Sequence, residues 1–109
     1  MSYDVGVATK DTEGNLTNVG DTINITSNLR PMMIELMGVT LHEFYGMPVD
    51  EVLPAFHLAY TELINNPNHY SRYNAKNGWG TADHLIKFYT QLIDLLEENK
   101  QDSYFYVTG

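Results

Sequence analysis

A chain of 109 residues with 43% hydrophobic side chains has the size and apolar content of one domain with its own core. It holds no cysteine, which removes disulfides, thiolate metal sites and cysteine nucleophiles together. Fourteen acidic against six basic residues give a net charge of −8, a field that repels nucleic acid, because such affinity comes largely from neutralised phosphates.

The N-terminal sequence "YDVGVAT" alternates, with Tyr3, Val5 and Val7 on one face, the period-two pattern of a half-buried strand. "KDTEGN" follows as a polar turn, with Gly14 suited to a positive φ. "NLTNVGDTINITS" predicts a second strand, with Ile23 and Ile25 opposite Thr22, Asn24 and Thr26, and a potential break at Gly20-Asp21. Asn28 is the expected N-cap of a first helix, because its side-chain oxygen can accept from an orphan amide of the first turn. Pro31 sits in that turn, where its missing donor does no harm. Leu29, Met32, Met33, Leu36 and Met37 form its apolar stripe, and Gly38 stops it.

"VTLHEFYGMP" reads as a connector with room for one short helical turn. A second helix is predicted through "VDEVLPAFHLAYTELINNP", where Val52, Leu53, Phe56, Ala59, Tyr60, Leu63 and Ile64 recur at three and four. Asp50 and Glu51 suit the positive end of its dipole, and Asn66-Pro67 ends it. The third predicted helix opens at Thr81 as N-cap and carries Leu85, Phe88, Tyr89, Leu92, Ile93 and Leu96 inward. "SYFYVTG" closes the chain as a strand that alternates Tyr104 and Tyr106 against Phe105 and Val107. The order β-β-α-α-α-β predicts one α+β domain over residues 1–109. Its small, mainly antiparallel sheet would join the N-terminal hairpin to the C-terminal strand, with three helices on one face. The aromatic last strand is expected at a sheet edge, where pairing between chains would give a homo-oligomer.

Recognised catalytic motifs are absent: there is no GxSxG, HExxH, P-loop or dinucleotide fingerprint. No two of His42, His57, His69 and His84 stand at i and i+4, so a helical metal pair is missing. The expectation is no catalytic residue, no metal and no cofactor. The start, "MSYDVGVATKDTEG", lacks the basic and apolar regions of a signal peptide, and no apolar run nears the roughly 20 residues that cross a bilayer. A soluble, cytoplasmic protein without membrane contact is expected.

Charge is unevenly distributed. Residues 22–34 hold no acid and one base, Arg30, while residues 63–82 hold no acid and two bases, Arg72 and Lys76. Those 33 residues carry +3, so the other 76 carry −11. Each window ends near a helix start. If the two meet in space, Asn24, Asn28, Arg30, Arg72, Tyr73, Lys76, Asn77 and Trp79 form a polar, cationic, aromatic-lined patch. The competing reading gives these residues structural work: the asparagines and hydroxyls cap and turn the chain, and Trp79 plugs the base of the last helix.

The segments "MSYDVGV", "NITSNLRPMM" and "NNPNHYSRYNAKNGWGTADHL" resemble small proteins of phages and bacterial mobile elements. Those tend to open with "YD" and a strand, carry an "NITYN"-like motif before a helix, and place Asn-Gly before the last helix. Asn24, Ile25, Thr26 and Asn28 match the first motif, with Ser27 where an aromatic is more usual, and Asn77-Gly78 match the second. The resemblance implies a phage-type accessory protein but carries no mechanism. Together with the acidity, it leads to the expectation of a non-enzymatic anti-defence protein. It would bind and inhibit a host protein, such as a defence nuclease, through an acidic surface. The alternative expectation is a binder of a nucleotide or other small anion that uses residues 24–30 and 72–79.

Overall fold

In the computed structural model, residues 1–78 and 80–109 are described; Trp79, and the expectation placed on it, lie outside them. Strands β1 (Ser2–Lys10) and β2 (Leu16–Thr26) form an antiparallel hairpin, and β3 (Tyr104–Thr108) pairs antiparallel with the other side of β1. The sheet order is β2-β1-β3. This is the α+β arrangement expected from the sequence, with the N-terminal hairpin and the C-terminal strand in one sheet and helices packed against it.

The hairpin turn is organised by Asp11. Its Oδ1 accepts from the amides of Glu13 and Asn15 at 2.9 and 2.8 Å, and Gly14 takes a φ of +85°. These donors, the Asn15 amide foremost, hold the Asp11 carboxyl below the usual carboxylate range. Beyond the turn, β2 is a single strand of 11 residues, not two short ones. The Gly20-Asp21 signal is nonetheless real. Val5 pairs with Ile23 and Val7 with Val19, so three residues of β2 face Gly6 alone, and Gly20 absorbs the excess at a φ of +74°.

Helix α1 (Arg30–Met37) is entered through a tight turn at Ser27–Leu29. The expected Asn28 cap is therefore displaced. Thr26, the last strand residue, supplies the capping oxygen, and Asn28 donates its backbone amide to it at 3.3 Å. The extra turn moves the first orphan amides two residues upstream. Gly38 ends α1 in the left-handed conformation, as expected.

Helix α2 (Val49–Asn65) buries Val49, Val52, Leu53, Phe56, Ala59 and Leu63. Ile64, expected in this stripe, is 43% exposed; it follows Leu63 by 100° of helical rotation and turns onto the flank. After Asn66 the chain forms one further helical turn, α3 (Pro67–Tyr70), which the sequence pattern did not announce. Helix α4 (Ala82–Glu98) starts at Thr81 as expected and buries Leu85, Phe88, Tyr89, Leu92, Ile93 and Leu96.

The core lies between the sheet face of Tyr3, Val5, Val7 and Phe105 and the apolar sides of α2 and α4. Phe56 is its aromatic hub. Its ring stacks on Phe105 at 5.4 Å between centroids and meets Phe44 at 5.4 Å and Tyr89 at 6.0 Å. Burial drives the Tyr89 hydroxyl pKa upward, and its O–H donates to the Met37 sulfur at 3.3 Å. No helix among the described residues is long and apolar enough to cross a membrane.

Across the helix pair, Glu97 of α4 holds Lys100 at 2.7 Å and the His57 ring of α2 at 3.2 Å. Lys100 first, then His57, pull the Glu97 carboxyl below its ordinary range. A depressed carboxyl adds stability above its unfolded pKa of about 4.3 and loses it as pH falls through the lower folded value. Glu97→Gln is therefore expected to flatten the acid limb of a Tm-against-pH curve while leaving the alkaline limb unchanged. Thermal unfolding between about pH 2 and 8 measures this.

Candidate functional site

The two acid-free windows do adjoin. Gly80, buried and at a φ of +122°, sits against the turn that follows β2. A Cβ at this position would stand 3.1 Å from Asn28 Cβ, 3.3 Å from Thr26 Cγ2 and 3.4 Å from Leu29 Cγ. The last helix thus begins with its leading glycine pressed onto the "NITSN" turn. Next to it, Thr81 and His84 form a reciprocal cap: Thr81 Oγ1 accepts from the His84 amide, and the Thr81 amide donates to His84 Nδ1, both at 3.3 Å. Asn74 Oδ1 accepts from the Ala82 amide at 2.9 Å, tying the preceding loop to the same helix start.

The candidate residues take different roles around that seam. Asn24 donates its side-chain amide to Ser2 Oγ and Asp4 Oδ1, both at 2.9 Å, so it braces the hairpin. Asn28 is exposed on the turn opposite Gly80. Arg30 borders a cavity of about 290 Å³ beside the chain ends, with Tyr3, Ser27 and Gly109. Arg72 lies folded on its own loop, donating to the His69 carbonyl at 2.9 Å with its other nitrogen 3.2 Å from His69 Nδ1. Tyr73 is half-buried against the core, while Lys76 and Asn77 are exposed in the turn closed by the Gly78 amide and the Ala75 carbonyl. Gly80 joins the two windows by seating on the side chains of Thr26, Asn28 and Leu29, but Arg30 and Arg72 line different surfaces: of the two, only Arg30 borders a described cavity.

The concave feature that sequence reasoning missed lies between β2 and α4. One cavity of about 280 Å³ is lined by Asn24, Ile25, Thr26, His84, Lys87 and Phe88. A second, of about 340 Å³, is lined by Asp21, Ile23, Asp94, Leu95 and Glu98. Gln91 lines both, so the two hollows adjoin along the helix as a channel in two parts. Its helical wall is His84, Lys87, Gln91, Asp94 and Glu98, all exposed. Those positions recur at three, four, three and four, and this polar stripe beside the apolar one was the available signal.

The channel is polarised along its length. Lys87 stands at the end near Thr26, and Asp21, Asp94 and Glu98 stand at the other without a basic residue among that end's lining. The sheet edges differ as well. β3 lies at a sheet edge, as expected, but at Phe105 that edge is occupied: the Gly46 amide donates to the Phe105 carbonyl at 2.9 Å, and the Phe105 amide to the Met47 carbonyl at 2.8 Å. The connector thus covers β3 at Phe105, and β2 forms the other edge, with no strand beyond it among the described residues.

All four histidines are exposed, and the described residues hold no buried charged side chain and no cluster able to bind a metal. Comparisons with models of protein families, with curated proteins and with solved structures return no match.

Proposed function

We propose that the chain is a non-enzymatic accessory protein of the phage type, which binds a basic host protein through its acidic surface and blocks that partner's nucleic-acid channel. The observation that carries the reading is the state of its carboxylates. All fourteen are exposed, and among the described residues Glu97 alone has a cationic partner. Unpaired surface carboxylates at this density are poor contributors to stability, since they repel one another. They match the phosphate-binding cations of a nuclease or similar enzyme. A defence nuclease is the partner class that the phage-type resemblance favours.

The test is capture from host lysate on the immobilised protein at low salt, followed by elution with duplex DNA. Basic nucleic-acid-binding proteins are expected in the DNA eluate. A captured set that DNA fails to displace would contradict the reading.

The second reading, a nucleotide or anion binder, draws on the contact of Gly80 with the "NITSN" turn. It is weakened by Arg72 and Asn24, whose polar groups already serve the loop and the hairpin. Thermal shift against a nucleotide panel is expected to be flat. A stabilisation lost in Arg72→Ala would reverse the order of the two readings.

A further inference from the structure

The channel between β2 and α4 has the two parts that strand addition requires: a sheet edge with no strand partner among the described residues, and a facing helix. In an antiparallel ladder, hydrogen-bonded and non-hydrogen-bonded pairs alternate. The Ser27 amide donates to the Met1 carbonyl at 3.1 Å, which makes that pair a bonded one. Thr26 opposite Ser2 and Asn24 opposite Asp4 are then the non-bonded pairs. The backbone N–H and C=O groups of Thr26 and Asn24 therefore point away from β1, along the outer edge.

Beside this edge the channel offers apolar contact from the partly exposed Ile23 and Leu95 at one end, while Ile25 and Phe88 at the other are buried in its floor. Such contacts suit the alternate side chains of an extended segment. The charged wall sets the sign of what enters. Asp21, Asp94 and Glu98 gather at the end near the bulge, and a basic side chain reaching them gains attraction from three carboxylates. With a rise of about 3.3 Å per residue, the span from Thr26 to Asp21 takes about six residues of partner strand. In the antiparallel orientation, the partner's C-terminal half lies beside Asp21.

We infer that this channel receives an extended segment of the partner protein as an added strand of the sheet. The segment carries basic residues in its C-terminal half, seated at Asp21, Asp94 and Glu98. This rests on the reading of an acidic binder of basic proteins and names the surface and the mode of contact. A second copy of the chain fits less well, because it would set two molecules of −8 charge edge to edge.

The probe is an acetylated, amidated eight-residue peptide of alternating valine and threonine ending in two lysines. It is compared with two forms in which every second backbone nitrogen is methylated, one in each register. Methylation removes strand hydrogen bonds and leaves side chains and charge unchanged. Binding of the parent peptide is expected to slow hydrogen exchange at the Asn24 and Thr26 amides about tenfold or more, and one methylated form should bind about tenfold more weakly. The variant carrying Asp94→Asn and Glu98→Gln should also lose about tenfold in affinity for the parent.

Equal binding of all three forms would overturn strand addition while leaving the acidic-surface reading standing. No binding of any form in about 20 mM salt, where the Debye length is long, would overturn both. Protection of the same two amides without peptide, together with a dimer mass, would overturn the peptide as occupant in favour of a second copy.

Discussion

Gly80→Ala is expected to destabilise the domain by about 2–4 kcal/mol, an unusually large effect for adding a single methyl group. Two independent causes act at the same atom. The backbone is held at a φ of +122°, a conformation open to glycine and strained for any residue with a Cβ. The new methyl would also press to 3.1 Å from Asn28 Cβ and 3.3 Å from Thr26 Cγ2. Neither neighbour can retreat freely, because Thr26 caps the turn into α1 and Asn28 donates to it. Relief must come from separating the start of α4 from the end of β2. Urea unfolding followed by circular dichroism is expected to show a lower midpoint with an unchanged slope. Gly14→Ala is the control: it has a positive φ but nothing within 4 Å of the added methyl, so strain acts there without the clash.

Phe56→Ala is expected to cost about 3–5 kcal/mol, close to the whole stability of many domains of this size. The side chain is fully buried where α2 crosses the sheet, and its ring contacts Phe44, Tyr89 and Phe105. Removing it opens a cavity among three rings that cannot collapse together, since they are held by the connector, by α4 and by β3 respectively. Tm should fall by roughly 10–20 °C, with near-ultraviolet circular dichroism lost before the far-ultraviolet signal. Phe56→Leu retains most of the volume and should recover the greater part of the loss.

The elements most legible in the sequence were those whose periodicity spans several turns or pleats. Helix α4 shows one apolar stripe from Leu85 to Leu96 and a threonine cap, and β1 alternates cleanly over Tyr3, Val5 and Val7. The joining of the C-terminal strand to the N-terminal hairpin was legible too, while its place beside β1, with Val5 opposite Val107, is what the fold adds. What escaped was short or non-local. Helix α3 is a single turn of four residues, below the length at which any stripe can appear. The cap at Thr26 takes the place of Asn28 because a tight turn precedes α1, and threonine, though the weaker cap type, stands where the first orphan amides now lie.

The candidate site was legible in one respect only. The acid-free windows point to a meeting of the two segments, and Gly80 seats on the Thr26, Asn28 and Leu29 side chains of the "NITSN" turn. The cover over β3 at Phe105 depends on Gly46 and Met47 folding back on it, a pairing of residues about 60 apart in sequence that no local pattern encodes. The acidic end of the channel joins Asp21 of a strand to Asp94 and Glu98 of a helix. Each alone reads as solvated surface charge.

The most direct measurement compares two variants that remove the same number of charges from different places. One neutralises the channel by Asp21→Asn, Asp94→Asn and Glu98→Gln; the other neutralises Asp50, Glu51 and Asp102, which lie outside it. Affinity for the lysine-ended peptide is then read by titration calorimetry at fixed low salt, with the folded state of each variant checked by its melting curve. The channel variant is expected to bind about tenfold more weakly than the native chain, and the control variant within about twofold of it. An equal loss in both variants, or no loss in the channel variant, would contradict the assignment of the acidic channel as the binding surface.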